Sequence, residues 1–406
     1  MYEPVPADQD HAGRGSSDHD LASLVAELES RHVRRVHVLA WRDLDDPDAG
    51  GSEVHADECM RRWAAAGLDV LHRTSAARGQ RAESVRNGYR VVRRGSRYSV
   101  FPRTMVSETF HRMGPRDALV EIWNGVPWFS PVWFRGPRIT FVHHVHGPMW
   151  DQMFPPPFGA AGRLLEAKVA PPFYRRSLTM TPSDATREEL IDTMGFRAAR
   201  TGSVPNGIDP FFHPGGSRSV EPMVVAVGRQ APVKRFGALL DACHDARERC
   251  GVKLRLTLVG DGPDRPMIER WIAEHGAAEW VTLAGRVSNE GLRDLYRRAW
   301  LVASASLAEG WGLALTEAAA CATPAVATDI GGHRCSVIDG TTGILVAELG
   351  ALAGTIADLL TDDERRESLG RQARARALTL TWDAVAHGVL GCLVEATREH
   401  RRRGAR

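Results

Sequence analysis

The sequence predicts an α/β protein built from two doubly wound domains, and three observations lead to this prediction. The chain has 406 residues, more than one hydrophobic core usually serves, so two domains are expected. Short apolar stretches typical of buried strands alternate with helical or loop segments along most of the chain. Several strands end in a glycine-containing turn that leads into a helix, an arrangement that binds phosphate in such sheets.

The composition is that of an ordinary globular protein. The formal net charge is +2, with 43% hydrophobic and 25% charged residues. No apolar run reaches the length of a membrane span, and the first twenty residues lack the apolar core of a signal peptide. We therefore expect a cytoplasmic protein, and we expect no nucleic-acid partner. The six cysteines form no CxxC pair and no metal-ligand spacing, which fits reduced thiols.

The first predicted strand, residues 36–40, is followed by an acidic loop at 43–48 and then by a glycine turn. Gly50 and Gly51 open a helix for which Ser52 is the expected cap. This turn is either a tight βα connection or a cradle for a phosphate or sugar. Further along, a basic run at 90–97 is either a solvated edge or a surface that attracts anionic lipid or a phosphorylated acceptor.

A strand starting after Gly136 and Pro137 leads into three histidines, His143, His144 and His146. Such a cluster resembles a metal site at first sight. No nearby Asp, Glu or Cys completes a ligand set at the usual spacing, although Asp151 could be argued, so we expect no metal.

Two cations stand where a strand turns into a helix in the second half of the chain. Arg229 follows the predicted strand 223–227, and Lys234 comes five residues later. Doubly wound sheets bind anions at this kind of position. The alternative is a pair of surface bases, but Lys234 is one of only three lysines, which favours a function.

The stretch at residues 308–318 carries the most specific signal. Glu309 and Glu317 are separated by seven residues, with Gly310 and Gly312 between them and an apolar helix following. The glycines allow close approach of a ligand, and the start of the helix favours a phosphate. The carboxylates cannot bind that phosphate, but they can accept hydrogen bonds from hydroxyls. The pattern therefore indicates a nucleotide sugar.

The Glu309 to Glu317 segment resembles the E-x7-E motif of retaining glycosyltransferases of family 4. Those enzymes have the GT-B fold, two facing Rossmann-like domains with a cleft between them. The Pro-Asn-Gly-Ile-Asp string at 205–209 and the Gly-Arg-x4-Lys spacing that ends at Lys234 are similar to the same family. The resemblance extends from about residue 34 to residue 382.

The resemblance implies roles for the donor-side residues. Arg229 and Lys234 would clamp the diphosphate, helped by the start of the helix at Gly312 and Leu313. Glu317 would accept from the ribose hydroxyls. Glu309 would orient the transferred sugar.

The resemblance also implies roles around the rest of the cleft. Arg286 and Val287 would edge the base. Gly50 and Gly51 would lie near the donor phosphate and the acceptor. His143 would lie near the anomeric carbon, with His144 and His146 as alternative matches.

The predicted domain organisation follows from the same patterns. We expect a disordered extension (1–33), an N-terminal acceptor-side domain (34–209) completed by a C-terminal helix (381–397), a linker (210–222), a nucleotide-sugar domain (223–380) and a disordered basic tail (398–406). Two features depart from the family pattern. The acidic loop at 43–48 lengthens the first turn, and Trp311 stands where Phe is common.

The predicted function is transfer of a hexosyl group, with retention, from a UDP- or GDP-sugar to a hydroxyl of a saccharide, lipid-linked or small-molecule acceptor. Neither a cofactor nor a metal is expected, and peripheral contact with the inner face of the plasma membrane is a further option. The alternatives are a sugar-nucleotide epimerase of the same fold and a non-catalytic binding protein. The epimerase would need acid/base carboxylates in the N-terminal half, which we do not identify.

Overall fold

The computed structural model describes residues 20–404, without the side chains of Gln152 and Met153. The chain divides into two compact units. Unit 1 takes in the described residues up to Gly207 and those from Trp382 onward, and unit 2 is Ile208–Thr381. Within residues 20–404, no helix is both long enough and apolar enough to cross a membrane.

The described residues of unit 1 form one sheet of eight strands. The strands are β1 (Arg35–Leu39), β2 (Asp69–Thr74), β3 (Glu83–Arg86), β4 (Tyr89–Arg93), β5 (Ala118–Trp123), β6 (Arg138–Val142), β7 (Leu178–Thr181) and β8 (Thr201–Ser203). Their order in space is β3-β4-β2-β1-β5-β6-β7-β8. Only β3 pairs antiparallel among these strands. The chain builds outward from β1 on one side and from β5 on the other, so the direction of winding reverses between these two strands.

Eight α-helices lie within residues 20–207, before the second unit. They are α1 (Leu21–Ser30), α2 (Gly51–Ala65), α3 (Val100–Thr109), α4 (Ser130–Trp133), α5 (Met149–Met153), α6 (Phe158–Leu164), α7 (Pro171–Tyr174) and α8 (Asp184–Asp192). The predicted cap of α2, Ser52, is wrong. The cap is Gly50, whose N–H donates to the Glu53 carboxylate at 2.7 Å. The Ser52 hydroxyl instead accepts from the Asn124 amide at 3.2 Å.

Unit 2 has a six-stranded parallel sheet covered on both faces. Its strands are β9 (Met223–Val227), β10 (Arg255–Val259), β11 (Val281–Gly285), β12 (Leu301–Ser304), β13 (Ala325–Thr328) and β14 (Gly343–Val346). Their order is β11-β10-β9-β12-β13-β14, so the winding reverses between β9 and β12. Neighbouring residues of β9, Val224 and Val225, belong to two different apolar clusters. Because successive side chains of a strand point to opposite faces, the sheet has a core on each side.

The remaining helices complete both units. Unit 2 contains α9 (Phe236–Cys250), α10 (Arg265–Glu274), α11 (Asn289–Arg298), α12 (Leu313–Ala320), α13 (Gly331–Ser336), α14 (Ala351–Thr361) and α15 (Asp363–Ala377). The last helix, α16 (Trp382–Gly404), belongs to unit 1. There the indole nitrogen of Trp63 on α2 donates to the Ala386 carbonyl at 2.9 Å.

The predicted disorder at both ends of the chain is wrong where the structure describes it. Residues 21–30 form α1, which packs on α16 and buries Leu28 completely. The helix expected to end at 397 continues to Gly404, and Arg398 pairs with Glu27 of α1 at 2.6 Å. Each end becomes ordered because it provides a packing surface for the other. Residues 1–19 and 405–406 of the predicted extension and tail lie outside the described residues.

The segment predicted as a linker, residues 210–222, is packed into unit 2. Phe212 is buried in the apolar cluster that contains Val225. The Arg218 guanidinium donates to the Thr323 hydroxyl at 2.6 Å and to the Tyr296 carbonyl at 3.2 Å. The segment is therefore part of unit 2 and not a free linker. Its glycine-, proline- and serine-rich composition did not reveal these contacts, because their partners are distant in the sequence.

The acidic loop at 43–48 and the basic run at 90–97 neutralise one another. Arg93, which is almost fully buried, donates to Asp43 at 2.7 Å and to Asp45 at 2.7 Å. Arg97 pairs with Asp46 at 3.1 Å and also contacts Asp48. Burial raises the pKa of Asp43, and the Arg93 charge opposes this shift. Neither alternative for the basic run, a solvated edge or an anion-attracting surface, describes Arg93 and Arg97, because both form ion pairs with the acidic loop.

Truncating Leu28 to Ala tests whether α1 is an integral part of unit 1. We expect a loss of about 2–5 kcal/mol in the free energy of unfolding, because a fully buried Leu leaves a cavity. Urea denaturation followed by circular dichroism measures it. Leu164→Ala in α6, where the side chain is 58% exposed, is the matched control. Equal stabilities of the two variants would contradict the packing of α1.

Replacing Arg93 with Leu tests the buried ion pairs. The change leaves the Asp43 carboxylate buried without its cation, which costs about 3–5 kcal/mol. Arg90→Leu, on the exposed side of the same strand, is the control and should have little effect on the urea midpoint. If both variants unfold at the wild-type urea concentration, the network does not stabilise unit 1.

Candidate active site

The winding reversal of unit 2 brings together Lys234 and Glu309, two predicted site residues 75 positions apart. Lys234 ends a 3-10 turn after β9, and Glu309 lies in the loop after β12. Because these parallel strands are neighbours, both loops leave the same edge of the sheet. Doubly wound sheets bind ligands where the winding reverses, so this edge is the expected binding position in unit 2.

Lys234 and Glu309 form a partly buried ion pair. The Lys234 ammonium donates to Oε1 of Glu309, and the Ser306 hydroxyl donates to the same oxygen at 2.9 Å. Their side chains are 24% and 16% exposed. Burial raises the pKa of Glu309, but the charge of Lys234 and the hydrogen bonds from Lys234 and Ser306 outweigh burial, so the pKa is lowered. The site therefore presents a carboxylate at neutral pH.

His333, which the sequence analysis did not select, supports this loop. Its Nδ1 lies 2.7 Å from the Thr328 carbonyl, so that nitrogen carries the proton. Nε2 lies 3.3 Å from the Ser304 hydroxyl, which lies 3.1 Å from the Ser306 hydroxyl. Burial lowers the pKa of His333 and favours the neutral ring. The available signal in the sequence was a histidine that follows two glycines, shortly after β13 ends at Thr328.

Two glycines allow this loop to lie close to α13. Gly312, the N-cap of α12, has a φ of 98°, and a Cβ there would lie 3.2 Å from the Ser336 hydroxyl. At Gly332 a Cβ would lie 2.1 Å from the Glu309 carbonyl oxygen, far inside contact distance. A side chain at either position would displace the loop that carries Glu309. Leu313 then begins α12, whose first N–H groups lie at the same edge of the sheet.

Glu317 lies on α12 in a more apolar setting than Glu309. The hydroxyl of Tyr296, on α11, donates to Oε2 of Glu317 at 3.0 Å. Burial raises the pKa of Glu317 to about 7, and the Asp209 charge adds to the shift. The two carboxylates of the motif therefore differ in charge state near neutral pH. Tyr296 was missed because no local pattern places it opposite Glu317.

The other predicted donor-side residues, Arg229, Arg286 and Val287, lie in loops after β9 and β11 and form no hydrogen bond to Glu309 or Glu317 among the described residues. Arg229 follows β9 with its side chain exposed, and Arg286 follows β11, also exposed. Val287 is half-buried against the Tyr296 cluster. Among the described residues, neither arginine hydrogen-bonds to Glu309 or Glu317. Both cations are therefore free to contact a ligand at this edge of the sheet.

Unit 1 places its predicted residues around α2. Gly50 and Gly51 begin this helix, and the His55 ring one turn further packs edge-on against His143 at 4.9 Å. His143 directly follows β6 and is 6% exposed. Its Nε2 has no hydrogen-bond partner within residues 20–404, and burial holds its pKa well below the usual value. Neutral His143 therefore has an unused polar atom.

The neighbouring histidines are held in a different way. His144 stacks on His146 at 4.2 Å, and Glu166 accepts from the backbone N–H groups of His146 and Gly147 at 3.0 Å each. Asp151 pairs with Arg163 rather than with a histidine. Within the described chain, no group of three His, Cys, Asp or Glu side chains is placed to hold a metal ion.

Known proteins resemble most of the chain. A family model described as Glycosyltransferase Family 4 matches residues 49–211, and one described as Glycosyl transferases group 1 matches residues 209–376. A D-inositol 3-phosphate glycosyltransferase of Kribbella flavida is 30% identical, over 90% of this chain and 97% of the relative. The chain belongs to glycosyltransferase family 4. A protein of the same description from Xylanimonas cellulosilytica is 28% identical over 87% of this chain and 94% of the relative.

Solved structures show that this family 4 member has the GT-B fold. Sucrose-phosphate synthase from Thermosynechococcus elongatus superposes with a TM-score of 0.74 at 21% identity, covering 88% of this chain and 97% of the other. The Anabaena protein HepE, solved in complex with UDP-glucose, gives 0.69 at 18% identity, with 88% and 98% covered. The predicted family and fold class are confirmed, and the protein is a glycosyltransferase of carbohydrate biosynthesis.

Replacing Glu317 with Gln tests its raised pKa. Because the folded-state pKa of about 7 exceeds the unfolded value, ionising Glu317 destabilises unit 2 as the pH rises through that window. The neutral amide of Glu317→Gln carries no such penalty, so at pH 8 we expect the variant to be more stable by up to roughly 3 kcal/mol. The difference should vanish near pH 4.5. Urea denaturation across this range measures it, with the exposed Glu274→Gln as control, and a pH-independent difference would contradict the burial argument.

Proposed function

We propose that this family 4 enzyme transfers a hexosyl group from a nucleotide-diphosphate sugar to a hydroxyl acceptor. The observation that carries the proposal is the Lys234–Glu309 pair at the winding reversal of unit 2. A cation beside the start of α12 suits a diphosphate, and the two carboxylates suit sugar and ribose hydroxyls. The relatives are named glycosyltransferases, which favours transfer over epimerisation or silent binding.

In this proposal Lys234 exchanges its Glu309 partner for the donor diphosphate. Arg229, exposed at the end of β9, joins it, and the first N–H groups of α12 after Gly312, beginning with Leu313, add their dipole. These groups offset the negative charge that grows on the departing nucleotide diphosphate, so we expect no requirement for a metal. Glu309, released from Lys234, accepts hydrogen bonds from the hydroxyls of the transferred sugar.

Glu317 is the proposed partner of the ribose. Hydroxyl groups that donate to Glu317 favour its carboxylate form, so donor binding should lower the raised pKa of this group. Arg286 and Val287, after β11, would edge the nucleotide base. In unit 1, Gly50 and Gly51 are proposed to approach the donor phosphate and acceptor, and the unpaired nitrogen of His143 to contact the sugar near its anomeric carbon.

We propose that the transfer retains the anomeric configuration. The bond between the anomeric carbon and the phosphate oxygen breaks while the acceptor oxygen bonds to the same face of that carbon. The acceptor hydroxyl passes its proton to the leaving phosphate, so no protein group has to act as the base. Once Lys234 has turned to the diphosphate, an ionised Glu309 that still accepts from the Ser306 hydroxyl is suited to orienting the sugar hydroxyls.

The acceptor is proposed to be a small hydroxyl compound, with a phosphorylated inositol as the first candidate. The Kribbella flavida relative, which matches over nearly its full length, is named for D-inositol 3-phosphate. UDP- and GDP-sugars both remain candidate donors, and saccharide or lipid-linked acceptors are the alternatives. A cytoplasmic location, with contact at the inner face of the plasma membrane as an option, stays a prediction.

Removing the Lys234 ammonium should strongly reduce turnover. For Lys234→Ala we expect kcat/KM to fall about 100-fold or more, because a charge that stabilises the leaving group is lost. Product formation from UDP- and GDP-sugars with inositol 3-phosphate measures it. Lys253→Ala, at an exposed position, is the matched control and should keep wild-type rates. Equal activity of the two variants would remove Lys234 from the proposed site.

A thermal-shift panel of UDP-, GDP- and ADP-sugars identifies the donor. We expect one nucleotide series to raise the melting temperature of the wild-type protein, and the shift to be lost in Glu317→Ala because the ribose contact is lost. Adding a chelator should leave the shift unchanged. Stabilisation that depends on added metal would contradict the proposed use of Arg229 and Lys234.

A further inference from the structure

A basic depression lies at the other edge of the unit 1 sheet, away from the predicted active-site residues. It is an open depression of about 400 Å³, a volume that includes the solvent at its mouth. Its main polar lining is Arg135, Arg138, Arg176, Ser177, Arg200, Glu399, His400 and Arg403. Arg138 is the first residue of β6, whereas His143 follows the last, so the depression and His143 are roughly 15 Å apart along the strand.

The charge in this depression is strongly unbalanced. Its lining includes five guanidinium groups and one carboxylate. Glu399 is already engaged by Arg200, through contacts of 2.9 and 2.8 Å. Within residues 20–404, no carboxylate lies within 4.0 Å of Arg135, Arg138 or Arg176. Crowding of unpaired like charges is unfavourable unless an anion offsets it.

Two buried polar atoms of the depression also have no partner. The Ser177 hydroxyl is shielded from solvent, on a residue 5% exposed, and makes no hydrogen bond in the part of the chain that the structure describes. The Nε of Arg138 is likewise buried and unpaired, although its NH1 donates to the Phe134 carbonyl at 3.0 Å. Buried donors are normally satisfied, so both atoms have unused hydrogen-bonding capacity beside the depression.

The positive charge of the depression also affects the pKa of His400, which lies in its lining. Burial lowers the pKa of His400, and the charges of Arg401, Arg138 and Arg403 lower it further. This agrees with a cluster of positive charge at the end of α16.

We propose that this depression is a binding site for a phosphate-bearing anion. Guanidinium groups match the oxygens of phosphate in paired hydrogen bonds, and a serine hydroxyl adds a further donor. The ligand would contact two parts of unit 1. One is the sheet edge, at the start of β6 and the residue before β7, and the other is the last turns of α16, which supply His400 and Arg403. Inorganic phosphate and the phosphate of an anionic lipid headgroup share this chemistry.

Calorimetric titration of the full-length protein with inorganic phosphate, at constant ionic strength, tests the site. We expect saturable binding that weakens at least tenfold in the double variant Arg135→Gln, Arg176→Gln, whose side chains are exposed. Ser177→Ala should weaken it several-fold. Arg175→Gln, an exposed neighbour outside the depression, is the matched control and should bind as the wild type does.

Lys234→Ala distinguishes this site from the proposed donor site. If phosphate binding survives in Lys234→Ala and is lost in the double arginine variant, the depression is the site. If binding is lost in Lys234→Ala and kept in the arginine variant, or if the wild type does not bind phosphate, the proposal is overturned.

Flotation with phosphatidylglycerol and phosphatidylcholine vesicles identifies the source of the phosphate. Selective flotation with phosphatidylglycerol that the double variant loses would assign a lipid headgroup. Phosphate binding without flotation would assign a soluble anion. Either of these results supports the site. If the double variant still floats with phosphatidylglycerol vesicles, the membrane contact lies elsewhere and a lipid headgroup is not the ligand of the depression.

Discussion

The ion pair of Lys234 and Glu309 organises the functional edge of unit 2. It forms because β9 and β12 are neighbours at the point where the sheet changes its direction of winding, so their following loops emerge side by side. The ammonium keeps Glu309 ionised despite burial. The hydroxyl chain from His333 through Ser304 and Ser306 holds the loop in position. Without a ligand, the site therefore holds a paired cation and anion. A ligand that carries both phosphate and hydroxyl groups can separate them, because the phosphate binds the cation and the hydroxyls bind the anion.

The two glutamates of the motif show how position changes the chemistry of one residue type. Glu309 lies beside a lysine, whereas Glu317 is held in an apolar setting with a tyrosine hydroxyl as its hydrogen-bond partner. Burial acts on both, but only Glu309 has a cation near enough to outweigh it. Equal spacing in a sequence motif therefore does not imply equal charge in the folded protein.

Several arginines of unit 1 form ion pairs within the unit. The acidic loop takes up Arg93 and Arg97, while Arg398 ties α16 to α1. These arginines are neutralised within unit 1. By contrast, Arg135, Arg138 and Arg176, which line the depression near Ser177, have no carboxylate partner among the described residues. A net charge of +2 conceals this division between paired and unpaired cations, because it counts charges and not their neighbours.

The sequence by itself determined the α/β class, most strand positions, the family and the residue types of the proposed donor site. These are local patterns: apolar strands, glycine turns and a motif within nine residues can be recognised without the fold. Only the tertiary structure decided which side chains pair. It joins Lys234 to Glu309 and Tyr296 to Glu317 in unit 2. In unit 1 it pairs buried Arg93 with Asp43 and packs α1 on α16. Each of these is a contact between residues far apart in the chain. Such contacts depend on strand order and helix packing, which no local stretch of sequence encodes.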